Sequence, residues 1–307
     1  MIRKTQIKGA RRWKQLCAAS LGFLLMLTLA LPAAASTQLP KVTYSQDKTP
    51  ISYEVYGAGE PTLVFVHGWS GDSRYWQNQV NEFAKKYRVV VLDLAGHGHS
   101  GMTRRCYSIL AFADDVAAVI DAVGSTTNIL IGHSMAGEIV GLTAHMMPDK
   151  VLGIVGVDTL ENVEYPLSRQ EAEAMLAPML DNFQEESREF VSTMFRPDTN
   201  SEIKEWVLDD MSAAPPAVAM QAMEGYLFEY VRGGVAQIFD GVHVPVVCVN
   251  GDLWPIDYEA NHRHIASFEA IVVPGGDHFL MLNKPNAFNK ALEEAIHKVM
   301  RKAADIQ

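Results

Sequence analysis

Five continuous apolar runs, "TLVFVHG", "YRVVVLDLAG", "NILIG", "VLGIVGVDTL" and "VPVVCVNG", constrain this chain more than any other feature. Each is rich in β-branched residues and lacks the alternation of a strand with one wet face, so each reads as a strand buried on both faces. Such strands need helices above and below them, and helical periodicity fills the intervals. "YWQNQVNEFAKKY" separates the first two runs, Phe112, Val116, Val119 and Val123 recur at helical spacing before Gly124, and "MAGEIVGLTAHMM" follows the third. The alternation predicts an α/β fold with a mostly parallel central sheet flanked by helices. "KVTYSQ" and "ISYEVYG" around Asp47-Lys48 predict a leading hairpin, "EAIVVPG" a last strand, and residues 286–302 a closing helix.

The rhythm breaks after the sixth strand. Residues 161–240 are helix-rich and hold Met175, Met179, Met194, Met211, Met220 and Met223, which predicts a helical lid inserted into the core. Methionine at helical spacing is mostly core filler, with a minority left to line a pocket. The expected organisation is a signal peptide over 1–35, core over 36–160, lid over 161–240 and core again over 241–307.

Charge and cysteine content set the compartment and the partners. Residues 1–35 hold six basic residues and no acidic one, although the chain as a whole has 26 basic against 36 acidic residues. The basic segment leads into "LCAASLGFLLMLTLAL" and then into the small residues of "PAAAS", the order of a signal peptide cleaved near Ala35–Ser36. The apolar run falls short of the roughly 20 residues that span a bilayer, so export to the periplasm or medium is expected rather than stable membrane insertion. The acidic body repels phosphate backbones and excludes nucleic acid as a partner. Cys106 and Cys248 are the pair available for a disulfide in the body, but Cys248 within "PVVCVN" reads as a small buried hydrophobe.

A serine hydroxyl is a weak nucleophile unless a sharp strand-to-helix turn exposes it beside a base. Ser134 in "NILIGHSMAGE" has that setting, with Gly132 and Ala136 as the small residues the turn requires. The ordered set "VHGWSG" (66–71), "DLAGHGHS" (93–100), "GHSMAG" (132–137) and "PGGDHF" (274–279) resembles the α/β-hydrolase superfamily, in its serine-nucleophile, esterase- or lipase-like branch. The resemblance spans nearly the whole body and implies the α/β-hydrolase fold, with Ser134 as nucleophile, His278 as general base, and the backbone N–H groups of Trp69 and Met135 as oxyanion hole. His67, His97, His99 and His133 read as structural hydrogen-bonders, and no H-E-x-x-H or similar spacing points to a metal.

The acid is where the pattern departs from the family. The loop after the strand is often G-x-x-D, but here Gly251, Asp252, Leu253 and Trp254 put tryptophan at the usual position. Asp252 at the strand end is the first choice, Asp158 at the end of "GIVGVD" the second, and Asp257 a distant third. The reaction implied is hydrolysis of small apolar carboxylic esters through an acyl-enzyme, needing neither cofactor nor metal. A cofactor-free perhydrolase or carbon–carbon bond hydrolase would use the same triad. A small-ligand sensor with slow turnover is the reading from another class.

Overall fold

The computed structural model describes residues 39–306. Eight strands form one sheet: β1 Lys41–Tyr44, β2 Pro50–Tyr56, β3 Thr62–Val66, β4 Arg88–Leu92, β5 Asn128–His133, β6 Val151–Val157, β7 Val246–Asn250 and β8 Glu269–Val272. Their order across the sheet is β1-β2-β4-β3-β5-β6-β7-β8. The hairpin strands pair antiparallel, β2 also runs antiparallel to β4, and every later pairing is parallel. This is the α/β-hydrolase fold, and the continuous apolar runs are its central strands. All residues of β3, β5 and β7 are buried, which is why none of the three alternates in sequence.

Helices α1 Gln77–Phe83, α2 Ile109–Val123, α3 Ala136–Met146 and, after the last strand, α11 Pro285–Ile306 accompany the sheet. The Ser108 hydroxyl caps α2 by accepting from the Ala111 N–H at 3.3 Å, and α2 stops at Gly124. The closing helix runs a turn beyond residue 302, because Val299 and Ala303 are still buried there.

Between β6 and β7 run α4 Arg169–Asp181, α5 Phe183–Ser192, α6 Ser201–Ser212, α7 Pro216–Val231 and α8 Gly234–Asp240. A complete capping box between Ser168 and Glu171 starts α4. Beyond β7, α9 Tyr258–His264 reaches both ends of this segment: His264 Nε2 lies 2.7 Å from Glu164 and its Nδ1 2.8 Å from Asp240. A short α10 Leu280–Asn283 precedes α11.

Cys248 is buried in β7 and Cys106 is exposed, and both are free thiols, so the disulfide alternative fails. No described helix is long and apolar enough to cross a membrane. The expected signal peptide lies outside the described residues.

Candidate active site

The parallel strands all end on one edge of the sheet, and the loops leaving that edge carry every candidate residue. Ser134 sits between β5 and α3 with φ 56°, in the left-handed region that side chains other than glycine rarely adopt. Three hydrogen bonds hold it there. Its N–H donates to Val157 O at 3.0 Å, and its carbonyl accepts from the Gly137 N–H at 2.8 Å and the Thr159 hydroxyl at 2.9 Å. The strain, of order 1–3 kcal/mol, is offset by that over-determined backbone. The small residue two before the serine also has a concrete cause. A Cβ on Gly132 would lie 2.5 Å from Ala136 O, so the turn closes only over glycine.

His278 leaves the loop after β8 and packs into the same edge. Its Nδ1 lies 2.7 Å from Asp158 Oδ2, and the other carboxylate oxygen of Asp158 accepts from the Gly251 N–H at 2.7 Å. Asp158 is itself left-handed, φ 44°, and its N–H is fixed to Val249 O at 3.1 Å. The expectation that Asp252 orients the imidazole is therefore corrected to Asp158. Asp252 is exposed, and its two oxygens accept from Arg196 Nη1 at 2.9 Å and the Gly275 N–H at 3.0 Å. The position where the family expects the acid holds Trp254, whose ring meets His278 edge-on at 5.4 Å. That tryptophan was the sequence signal that the acid had moved. Asp257, the third choice, instead caps α9 by accepting from the Ala260 N–H.

The loop after β3 is positioned by histidines. His67 Nε2 accepts from the Leu94 N–H at 3.0 Å, which leaves the proton on Nδ1 to donate to Gly68 O at 2.8 Å. That bond fixes the Gly68–Trp69 peptide, whose other end is the Trp69 N–H. Gly68 lets this peptide approach the turn, since a Cβ there would lie 2.9 Å from His133 Nδ1 and 3.1 Å from the Ser134 Cβ. Among the described residues neither the Trp69 nor the Met135 N–H is bonded to a backbone acceptor. The Trp69 indole N–H donates to Ala219 O on α7 at 2.7 Å, so its side chain ties the inserted helices to the loop.

His133 donates from Nε2 to His278 O at 2.8 Å, with the two rings 4.7 Å apart. His97 bonds Ala95 O through Nδ1, and His99 approaches Asp93. Burial pushes His67, His97 and His133 below the ordinary imidazole range, His97 to about 3. Burial likewise lowers His278 to about 4, opposed by the charge of Asp277, so its imidazole is neutral near pH 7. Desolvation raises Asp158, against the pull of the Gly251 N–H.

Two carboxyls escaped the sequence reading. Glu138 on α3 is 1% exposed, neither oxygen has a partner among the described residues, and burial holds its pKa well above the usual range. Glu161 follows Asp158 by three residues and accepts from Asn250 Nδ2 at 3.1 Å. Neither belongs to a motif, and only the tertiary structure reveals the burial of Glu138 and the Asn250 partner of Glu161.

Ser134, His278 and Asp158 open onto a cavity of about 840 Å³. The inserted helices supply its apolar wall, including Met175, Phe190, Met194, Met211, Met223 and Leu227. They are joined directly to the histidine loop: the His278 N–H donates to Met194 O at 3.2 Å, Thr199 Oγ1 donates to Asp277 at 2.5 Å, and Phe195 stacks on Phe279 at 4.9 Å.

The model of the alpha/beta hydrolase fold family matches residues 61–209. Over 122 residues the chain is 34% identical to the dihydrolipoyllysine-residue acetyltransferase component of the acetoin cleaving system of Cupriavidus necator, covering 40% of this chain and 32% of that one. Over 102 residues it is 30% identical to epoxide hydrolase 4 of Mus musculus, covering 33% and 28%. The match thus spans about a third of the length of these relatives. Among solved structures, a thermophilic esterase from Thermogutta terrifontis shares the fold with TM-score 0.74 at 22% identity, over 85% of this chain and 99% of that one. The family model and these relatives, with the shared fold, support the α/β-hydrolase superfamily.

Proposed function

We propose that the protein is a serine hydrolase that cleaves small, largely apolar carboxylic esters through an acyl-enzyme. The observation that carries the reading is the 2.7 Å contact between His278 Nδ1 and Asp158, which leaves Nε2 of a neutral imidazole for the cavity that Ser134 also lines. Ser134 Oγ attacks the ester carbonyl while His278 Nε2 takes its proton. The negative oxygen that forms is met by the Trp69 and Met135 N–H groups, and collapse breaks the carbon–oxygen bond as His278 protonates the departing alcohol. Water then repeats the sequence on the acyl-enzyme and frees Ser134. Serine at the elbow separates this chemistry from the branches of the fold that use aspartate there.

The inserted helices act as a lid whose methionine- and leucine-lined wall takes the acyl chain. Each methylene buried there contributes about 0.8 kcal/mol, so selectivity rises with chain length until the cavity is full. The basic, apolar, small-residue order of residues 1–35 supports export with cleavage near Ala35–Ser36, and N-terminal sequencing of the secreted protein tests it. For the chemistry, a p-nitrophenyl phosphonate inhibitor is decisive. Stoichiometric p-nitrophenol release with phosphonylation of Ser134, found by peptide mass spectrometry and absent in Ser134→Ala, is the expected result. Labelling elsewhere, or none, rejects the mechanism.

A further inference from the structure

The cavity is not apolar all round. Three acidic residues line it, Asp158, Glu161 and Asp257, and no lysine or arginine does. Asp158 is satisfied by His278 and the Gly251 N–H. Glu161 is different: Oε1 accepts from Asn250, whereas Oε2 has no partner among the described residues and no cation lies within ion-pair distance. Burial and the neighbouring Asp158 push its pKa up to about 8, the mark of a carboxyl without a counter-ion.

Three phenols line the same cavity. Tyr165 and Tyr230 meet at 6.3 Å with ring planes at 89°, and Tyr226 and Tyr230 at 5.5 Å with planes at 82°. Glu161 and all three tyrosines line this one cavity. Perpendicular rings present two faces to one volume. Aromatic faces with a carboxylate attract an organic cation and disfavour an anion. A metal ion is a poorer match, because one free carboxylate oxygen falls far short of the six to eight oxygens a hard cation takes.

We propose that the corner formed by Tyr165, Tyr226 and Tyr230, with the Glu161 carboxyl beside it, binds an ammonium group carried by the ester substrate. The inference rests on the esterase reading and adds a substrate class to it: amino or quaternary ammonium esters whose remaining chain is apolar. The methionine wall holds that chain, and the corner holds the charge.

The test compares isosteric pairs that differ only in charge. Butyrylthiocholine is set against 3,3-dimethylbutyl thiobutyrate, which varies the leaving side. The p-nitrophenyl ester of 4-(trimethylammonio)butyrate is set against that of 5,5-dimethylhexanoate, which varies the acyl side. In at least one pair kcat/KM favours the cation by about tenfold at about pH 8, the scale of one desolvated cation–aromatic contact. That ratio falls toward one in Glu161→Gln and in Tyr230→Leu. Neutral members preferred in both pairs, or a ratio untouched by both substitutions, overturns the proposal. Tetramethylammonium binding, followed by tryptophan fluorescence, tests the corner without turnover: binding weakened about tenfold in Glu161→Gln supports it, and no binding overturns it even if neutral esters are hydrolysed. Ammonium binding with no ester turned over rejects the esterase reading alone.

Discussion

Asp158 Oδ2 lies 2.7 Å from His278 Nδ1, although 120 residues separate the two in the chain. The contact exists because β6 and β7 are neighbours: the β6 loop turns back at a left-handed residue and is fixed by the Val249 carbonyl and the Gly251 N–H of the β7 end. Asp252 is nearer to the family's usual position, but it joins the histidine loop to Arg196 between α5 and α6.

Replacing the two aspartates therefore separates them by orders of magnitude. Asp158→Asn leaves the imidazole in the wrong tautomer and lowers kcat on p-nitrophenyl butyrate by about 10⁴. Asp252→Asn changes it by less than about tenfold, since the residue is a surface ion-pair partner. Steady-state kinetics on the two purified variants gives the ranking, and the reverse order would return the role to Asp252.

The oxyanion loop is tested by adding one carbon. In Gly68→Ala the new Cβ meets His133 Nδ1 at 2.9 Å and the Ser134 Cβ at 3.1 Å, so the Trp69 peptide must withdraw from the serine. Loss of one oxyanion donor costs about 10²–10³ in kcat, with KM much less affected. Unchanged kcat in a variant that melts at the parental temperature would show that the Trp69 N–H takes no part.

Esterase activity should persist below the ordinary histidine range. The base must be neutral, and burial lowers His278 from 6.5 to about 4, so protonation removes it only as pH falls through the lowered value. A kcat/KM profile flat from about pH 8 to below pH 6 is expected. An acid limb centred at or above 6.5 would mean that the Asp158 carboxylate outweighs burial.

Glu138 makes a prediction about stability alone. Its folded pKa is raised above the unfolded 4.5, so the carboxyl is neutral in the fold while the unfolded chain ionises freely. The penalty is absent below about pH 4.5 and grows by about 1.4 kcal/mol per pH unit until the folded group itself ionises. Glu138→Gln removes it. Urea unfolding at about pH 5 and pH 8 should show a gain at pH 8 that is much smaller at pH 5; an equal effect at both would place an ionised carboxylate in the fold.

Much of the fold was legible because burial on both faces writes a local signal. The runs "TLVFV", "RVVVL" and "NILIG" have no polar alternation, and the three became adjacent central strands that run parallel to one another. The turn at Ser134 was equally legible, because a site where a Cβ on residue 132 would lie 2.5 Å from Ala136 O leaves its size requirement in nearby residues. His278 stands in "PGGDHF", and the fold brings it to the cavity that Ser134 lines.

The sequence by itself determined the strands, the helices and the turn around Ser134, since those depend on side-chain period and on residues a few positions apart. Tertiary structure alone decided which carboxylate faces His278, that His67 fixes the Gly68–Trp69 peptide, and that Glu161 lines one cavity with Tyr226 and Tyr230. Strand order in the sheet and the path of the inserted helices bring such groups together from distant parts of the chain, Asp158 and His278 across 120 residues. A carboxylate's partner is set by position in space, and neither the type of residue nor its neighbours in the chain carries that information.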